Sequence, residues 1–285
     1  MRAYVPGYEL RTLAGLDEAL TLLSREPGAW KLFAGGTDLM VLLEAGKLAH
    51  QNYLNIWNLE ELHGIDVTDE HVTMGALTTY TEVQEHHVLC DEFPMLVQAA
   101  SETGGLAIQN RGTLGGNIIN ASPAADSPPA LLAYDAELEL VSIDGARWIP
   151  YHGFHTGYKQ MTLRPDELLA RIRLGRNRWF THQYYRKVGT RKAQAISKVC
   201  FAGVASKSNG VVEDVRIALG SVAPVPLRCV RTEAALRLRE LNDTVIGRAV
   251  DELAREVTPI DDIRSTGAYR LRVCLNLLRD FLGKI

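Results

Sequence analysis

Two pairs of adjacent glycines, Gly35-Gly36 and Gly115-Gly116, constrain this chain more than any other feature of its sequence. A short apolar run, Trp30-Lys31-Leu32-Phe33-Ala34, leads into the first pair, and a segment of helical periodicity over 38–45 leaves it. A strand that turns through Gly-Gly into a helix brings backbone N–H groups close to a ligand that a Cβ would hold away. The second pair stands in Thr113-Leu114-Gly115-Gly116-Asn117, which repeats the device with a hydroxyl in front and a carboxamide behind. Neither is G-x-G-x-x-G or a Walker loop, so the usual Rossmann and nucleotide-triphosphatase explanations do not apply. Each pair alone fits an ordinary structural turn. Together they offer two sites for the two phosphates of a dinucleotide. Downstream, Asp126 offers either a carboxylate for a sugar hydroxyl or a cap for a helix at Ser127-Pro128-Pro129.

The rest of the pattern alternates helices and strands. Leu16, Leu20 and Leu23 behind Asp17 and Glu18 predict a helix over 16–23. Strands are expected at 53–56, 72–75, 136–141 and 171–174. Helices are expected from 81 with Thr81 as cap, over 94–103 up to Gly104-Gly105, and over 130–133. Gly175-Arg176-Asn177-Arg178 breaks the pattern and reads as a linker. Beyond it the sequence predicts strands at 199–205 and 211–219 and helices over 232–241 and 266–282. A length of 285 residues suits two domains, here 1–175 and 179–285.

Composition narrows the functional classes. A net charge of −3 without a dense Lys/Arg run gives no footprint for nucleic acid. No window approaches the ~20 apolar residues that span a bilayer, and the start Met1-Arg2-Ala3-Tyr4-Val5-Pro6 lacks an apolar signal core, so the expected location is the cytoplasm. Cys90, Cys200, Cys229 and Cys274 are too far apart in sequence to pinch a zinc ion or an iron–sulfur cluster, and the eight histidines form no metal triad. No metal ligands and no catalytic acid or base are expected on this chain.

The loop Ala34-Gly35-Gly36-Thr37-Asp38-Leu39, followed by Thr113-Leu114-Gly115-Gly116-Asn117 and then Ala121-Ser122-Pro123-Ala124-Ala125-Asp126, resembles the signature of the flavoprotein subunits of molybdenum hydroxylases. Xanthine, carbon monoxide and nicotinate dehydrogenases belong to that family, and the resemblance covers essentially the whole chain. It implies an α+β fold: a vanillyl-alcohol-oxidase-like (PCMH-type) FAD-binding domain of two α+β subdomains, about 1–55 and 56–175, followed by a smaller α+β C-terminal domain. It implies that Leu32, Phe33, Ala34, Gly35, Gly36, Thr37, Asp38 and Leu39, with Thr113, Gly115, Gly116 and Asn117, hold the FAD pyrophosphate and adjoining groups. Asp126 would contact the sugar-like chain, and Ile108 and Leu169 would pack against the cofactor.

The segment Tyr185-Arg186-Lys187-Val188-Gly189-Thr190-Arg191-Lys192 resembles the family's flavin-edge loop, which implies Lys187 near the cofactor. Relatives often carry an acidic residue before the isoleucine that corresponds to Ile196; Ala195 stands there in this chain. Gly153-Phe154-His155-Thr156-Gly157 resembles a segment of bacterial xanthine dehydrogenase flavin subunits.

The expectation is therefore an oxidoreductase subunit holding FAD non-covalently, since no His or Cys stands at either glycine loop where the family pattern would bond the flavin. It would pass electrons from a [2Fe–2S] small subunit to NAD⁺ or another acceptor, with the molybdenum cofactor in a molybdopterin large subunit and a purine such as xanthine as substrate. The rivals are a stand-alone flavin oxidoreductase of the same fold and a non-catalytic assembly subunit whose glycine pairs are only turns.

Overall fold

Parallel strands need crossovers, and the chain opens with two of them. In the computed structural model, which describes residues 7–176, 180–191 and 194–285, these are β1 (Glu9–Thr12), α1 (Leu16–Arg25), β2 (Lys31–Phe33), α2 (Leu39–Glu44) and β3 (Asn52–Asn55). The strands form a parallel sheet of order β1-β3-β2. Helix α1 carries Asp17 and Glu18 in its first turn and buries Ala19, Leu20, Leu22 and Leu23. That stripe packs with Leu54, Ile56 and Leu59 and with Val141, Leu168 and Ala170 of the next sheet.

Next come β4 (Ile65–Val67) and β5 (His71–Gly75), then six helices: α3 (Tyr80–Glu85), α4 (His87–Glu92), α5 (Pro94–Glu102), α6 (Leu106–Gln109), α7 (Leu114–Ile119) and α8 (Ser127–Ala133). The chain returns through β6 (Glu137–Ser142), β7 (Gly145–Pro150), a small hairpin β8 (His155–Gly157) and β9 (Gln160–Met161), and β10 (Leu168–Gly175). An antiparallel sheet results, of order β4-β5-β10-β6-β7. Helix α3 is capped two residues earlier than expected. Its cap is Thr79, not Thr81, because Thr79 and Glu82 have the capping-box spacing and close both hydrogen bonds.

The third sheet is antiparallel: β11 (His182–Val188), β12 (Val199–Ser208), β13 (Val211–Gly220) and β14 (Leu227–Arg228), in that order. It is followed by α9 (Val230–Leu236), α10 (Asp243–Glu256) and α11 (Gly267–Leu282). The helix expected over 232–241 ends at Leu236, since Arg237 is extended and Leu238 adopts φ +59°. Helix α10 is an addition to the expectations. Asn242 caps it, and Val245, Ala249, Val250 and Leu253 are buried. Of the expected linker, Gly175 ends β10 and Arg176 pairs with Glu92 at 2.6 Å, while Asn177 and Arg178 lie outside the described residues, as do Met1 to Pro6.

Both faces of this third sheet are buried. Strand period two sends Cys200, Ala202, Val204 and Ala218 into one cluster with Met95, Leu96 and Ala99 of α5 and Ala130 to Ala133 of α8. Val199, Phe201, Val215, Ile217 and Leu219 point the other way, onto Leu253, Leu278 and Phe281. Small residues face α8 because it lies close: a Cβ on Gly220 would stand 3.2 Å from Cγ of Pro129. Each fully buried Leu or Phe in these clusters contributes roughly 1.5–3 kcal/mol. No helix among the described residues is long and apolar enough to cross a membrane.

Candidate functional site

The first glycine loop is held open by its neighbours. Strand β2 ends at Phe33, whose carbonyl accepts the Ile56 N–H at 3.0 Å. Gly35 then passes so close to the 111–112 backbone that a Cβ would overlap the Arg111 carbonyl. Gly36 takes φ +76°, a left-handed conformation that favours glycine, and its Cβ would lie 2.7 Å from the Phe33 ring. The loop closes into α2 through Met40 N–H to Gly36 O at 2.9 Å and Leu42 N–H to Asp38 O at 3.1 Å. Among the described residues no hydrogen bond uses the backbone N–H of Gly35, Gly36, Thr37 or Asp38. Consecutive N–H groups without internal acceptors form a concavity that suits an anion.

The second glycine pair does something different from what the sequence suggests. Its residues form the first turn of α7, with the Thr113 hydroxyl accepting from Gly116 N–H at 3.0 Å. Leu114 N–H goes to Thr78 O at 3.0 Å, Gly115 N–H to Ala76 O at 2.8 Å and Asn117 N–H to Thr113 O at 3.0 Å. All four donors are consumed, so this segment is not a second backbone cradle. Gly115 is required for packing: its Cβ would come within 2.6 Å of the Ala76 carbonyl. What the turn presents outward is side chains. Asn117 stands at the wall with its Oδ1 accepting from Ser127 Oγ at 2.5 Å.

Asp126 occupies the N-cap position of α8 but makes no capping bond. Its Oδ2 accepts from Lys187 Nζ at 2.7 Å, and Lys187 also donates to the Glu102 carbonyl at 2.8 Å. Lys187 lies in β11, where residues expected to form a loop instead pair with β12 up to Val188. Alternation along the strand turns Tyr185 and Lys187 inward and Arg186 outward. The lysine side chain is 1% exposed and the aspartate 11%. Burial pushes the Asp126 carboxyl up to about 6, against the opposing pull of Lys187; the nearby Glu102 adds to the rise. Its Oδ1 is buried without a hydrogen-bond partner. The Tyr185 hydroxyl donates to the Asp126 carbonyl at 3.0 Å, and Cys200 Sγ donates to that hydroxyl at 3.1 Å.

These elements enclose one cleft of about 720 Å³ between the parallel sheet, the helical segment of the second sheet and the 194–196 segment. That is the size of a pocket for a sizeable organic cofactor. Of the residues singled out from sequence, Leu32, Ala34, Gly35, Gly36, Thr37, Asp38, Leu39, Ile108, Thr113, Gly115, Gly116, Asn117, Asp126 and Leu169 line it. Phe33 and Lys187 are not on its wall: Phe33 packs beneath Gly36, and Lys187 reaches Asp126 from β11. Lys192 lies outside the described residues. Sequence reasoning missed Lys31, Lys47 and Lys159, three cations on the wall brought by three separate segments, and Gly104, which the sequence suggests only as a helix stop. No group of three or more His, Cys, Asp or Glu among the described residues is arranged to hold a metal.

The cleft fits an extended dinucleotide. It offers unbonded N–H groups for an anion at one place, a buried carboxylate oxygen lacking a donor at another, and apolar walls from Leu39, Ile108 and Leu169.

Comparisons with known proteins agree with that geometry. Residues 8–176 match the family model for the FAD binding domain in molybdopterin dehydrogenase, and residues 183–285 match that for the CO dehydrogenase flavoprotein C-terminal domain. The chain is 32% identical over 273 residues to the xanthine dehydrogenase FAD-binding subunit of Escherichia coli O157:H7, covering 95% of this chain and 93% of that one. It is 28% identical to the carbon monoxide dehydrogenase medium chain of Hydrogenophaga pseudoflava, over 98% of this chain and 96% of that one. The fold superposes on the H. pseudoflava carbon monoxide dehydrogenase that lacks the Mo-pyranopterin moiety with a TM-score of 0.93 at 28% identity, covering 98% and 96% of the two chains.

Proposed function

The chain belongs to the FAD-binding flavoproteins of the molybdopterin dehydrogenases, and from that premise we propose that it is the electron-transfer subunit of a molybdenum hydroxylase acting on a purine such as xanthine, with NAD⁺ as the acceptor. The observation that carries the reading is the loop from Gly35 to Asp38, whose four N–H groups are unbonded among the described residues, at the wall of a cleft large enough for a dinucleotide. That loop would take the FAD diphosphate. Asn117 and Asp126 would meet the sugar-like chain, and Ile108 and Leu169 would exclude water along its length. Lys187 would act from behind, holding the Asp126 carboxylate in place.

Bound FAD supplies the exchange of electrons singly with an iron–sulfur centre and in pairs, as hydride, with a nicotinamide. The residues of this chain bind and orient; none is needed as a general acid or base. Attachment is non-covalent in this reading, supported by the absence of His and Cys from the glycine loop. We take 1–175 as the FAD-binding portion, with halves at about 1–55 and 56–175, and 179–285 as the C-terminal portion. Support comes from the sheets: the parallel one ends at Asn55, the second runs from Ile65 to Gly175, and the third begins at His182.

The purine substrate is supported by the name of the E. coli relative and by the Gly153 to Gly157 segment. A [2Fe–2S] small subunit and a molybdopterin large subunit are the partners this reading requires. Natively expressed protein is expected to be yellow, to release FAD on acid precipitation and to co-purify with two further chains. The complex is expected to form NADH from NAD⁺ when given xanthine. A chain that is colourless and takes up no FAD overturns the flavin assignment; a flavoprotein complex that oxidises xanthine only with a dye acceptor overturns NAD⁺ alone.

A further inference from the structure

The Gly35 to Asp38 loop offers N–H groups, but it also carries the carboxylate of Asp38 at the cleft wall. A diphosphate beside that carboxylate needs a compensating cation. Three lysines line the cleft: Lys31, Lys47 and Lys159. No hydrogen bond or ion pair fixes the ammonium of Lys31 or Lys47 among the described residues, so both are free to point into solvent.

Lys159 differs. It sits at the tip of the β8–β9 hairpin and takes φ +57°, a left-handed backbone that side-chain-bearing residues adopt at a cost. Its Nζ donates to the backbone carbonyl and to the Oδ1 of Asn120, both at 2.5 Å. Asn120 is the residue that ends α7, so the ammonium is tied to the same helix that begins at Thr113. Partial burial lowers the pKa of this lysine, Asp38 raises it and Lys31 lowers it, which brings the glycine loop within its electrostatic reach. Yet no carboxylate forms an ion pair with it among the described residues. An ammonium has three protons, and Asn120 takes two.

We propose that Lys159 is the cation that binds the diphosphate of the bound dinucleotide, with Asn120 holding its ammonium in position. The assignment rests on the reading of the cleft as the FAD site. A cation already held in place gains a charge-assisted hydrogen bond when a phosphate oxygen arrives, and little side-chain freedom is lost because Asn120 has already ordered it. Hydrogen bonds of this kind correspond to roughly a 10- to 100-fold change in affinity.

The test uses the full-length apoprotein, with binding followed by quenching of flavin fluorescence at several salt concentrations. Wild type, K159M and K159R are each titrated with FAD and with riboflavin, which lacks phosphate. K159M is expected to bind FAD about 10- to 100-fold more weakly with a shallower salt dependence, to bind riboflavin like wild type, and to melt at the wild-type temperature. K159R is expected to recover most of the loss. Unchanged FAD affinity in K159M overturns the proposal while leaving the flavin site intact. An equal loss for FAD and riboflavin also overturns it, because Lys159 would then act only through Asn120 on the shape of the cleft. A wild-type chain that binds no FAD removes the underlying reading itself.

Discussion

Replacing Lys187 with methionine separates two protonation states of Asp126. In the wild type the two side chains meet at 2.7 Å, 1% and 11% exposed, and the carboxyl titrates at about 6 instead of the ordinary 3.8, burial being the cause. The raised value fixes the sign. The contribution of Asp126 to stability is fully present below pH 4 and is lost as pH rises through about 6, because the folded state prefers the protonated acid. At pH 5 the acid is largely neutral, so K187M forfeits two hydrogen bonds, one to Asp126 and one to the Glu102 carbonyl, about 1–2 kcal/mol together. At pH 8 the wild-type Asp126 is ionised. The variant must then bury a bare carboxylate or protonate it, and breaking such a pair costs about 3–5 kcal/mol.

The destabilisation by K187M is therefore expected to grow by about 2 kcal/mol between pH 5 and pH 8. Urea unfolding at four pH values measures it, with D126N/K187M as the control, since the amide cannot ionise and should remove the pH dependence. A loss that stays flat from pH 5 to 8, or a double variant whose losses simply add, refutes the reasoning.

Three further outcomes follow from local geometry. T79A removes the hydroxyl that accepts the Glu82 N–H and donates to the Glu82 carboxylate, while the Thr79 backbone N–H still reaches that carboxylate, and should cost about 1 kcal/mol, read as a lower urea midpoint with an unchanged slope. G35A drives a Cβ into the Arg111 carbonyl, which no rotamer change relieves, so a loss of about 1–3 kcal/mol in the melting profile and loss of FAD uptake are expected together. At Asp262 burial works against ionisation, but hydrogen bonds from Arg264 N–H, Arg270 and Ser265 N–H outweigh it and hold the carboxyl at about 2. Its stabilisation is present above pH 4 and lost as pH falls through about 2. The melting temperature of R270M should therefore fall less steeply than that of wild type between pH 4 and 2, from a lower starting value.

What could be read from the sequence depended on whether the deciding partner was local. The leucine spacing of α1 and the strand-to-helix turn at Gly35-Gly36 are self-contained patterns, and both elements stand where the periodicity put them. The second glycine pair misled because Thr-x-Gly-Gly reads equally as a turn and as a capped helix start. The acceptors that decide between them, Ala76 and Thr78, lie far back in the chain. Thr79 was legible, since its spacing to Glu82 is that of a capping box, but Thr81 stands nearer the acid and competes with it. Lys187 falls in a segment expected to be a flavin-edge loop, and pairing with β12 makes it an inward strand position instead. Helix α10 has a cap and a buried stripe, weakened as a pattern by Gly247 in its middle. The three cleft lysines share no motif, for each arrives on a different segment, and only the folded chain brings them together.

The third sheet, buried on both faces, ties the C-terminal portion to the helices of the second sheet. Swinging β12 and β13 away from α5 and α8 would expose Cys200, Ala202, Val204 and Ala218 together with the ion pair of Lys187 and Asp126. A hinge there is energetically closed. The second and third sheets are thus bound through one shared core, so a protease that nicked the chain between them would leave a single particle, not two fragments.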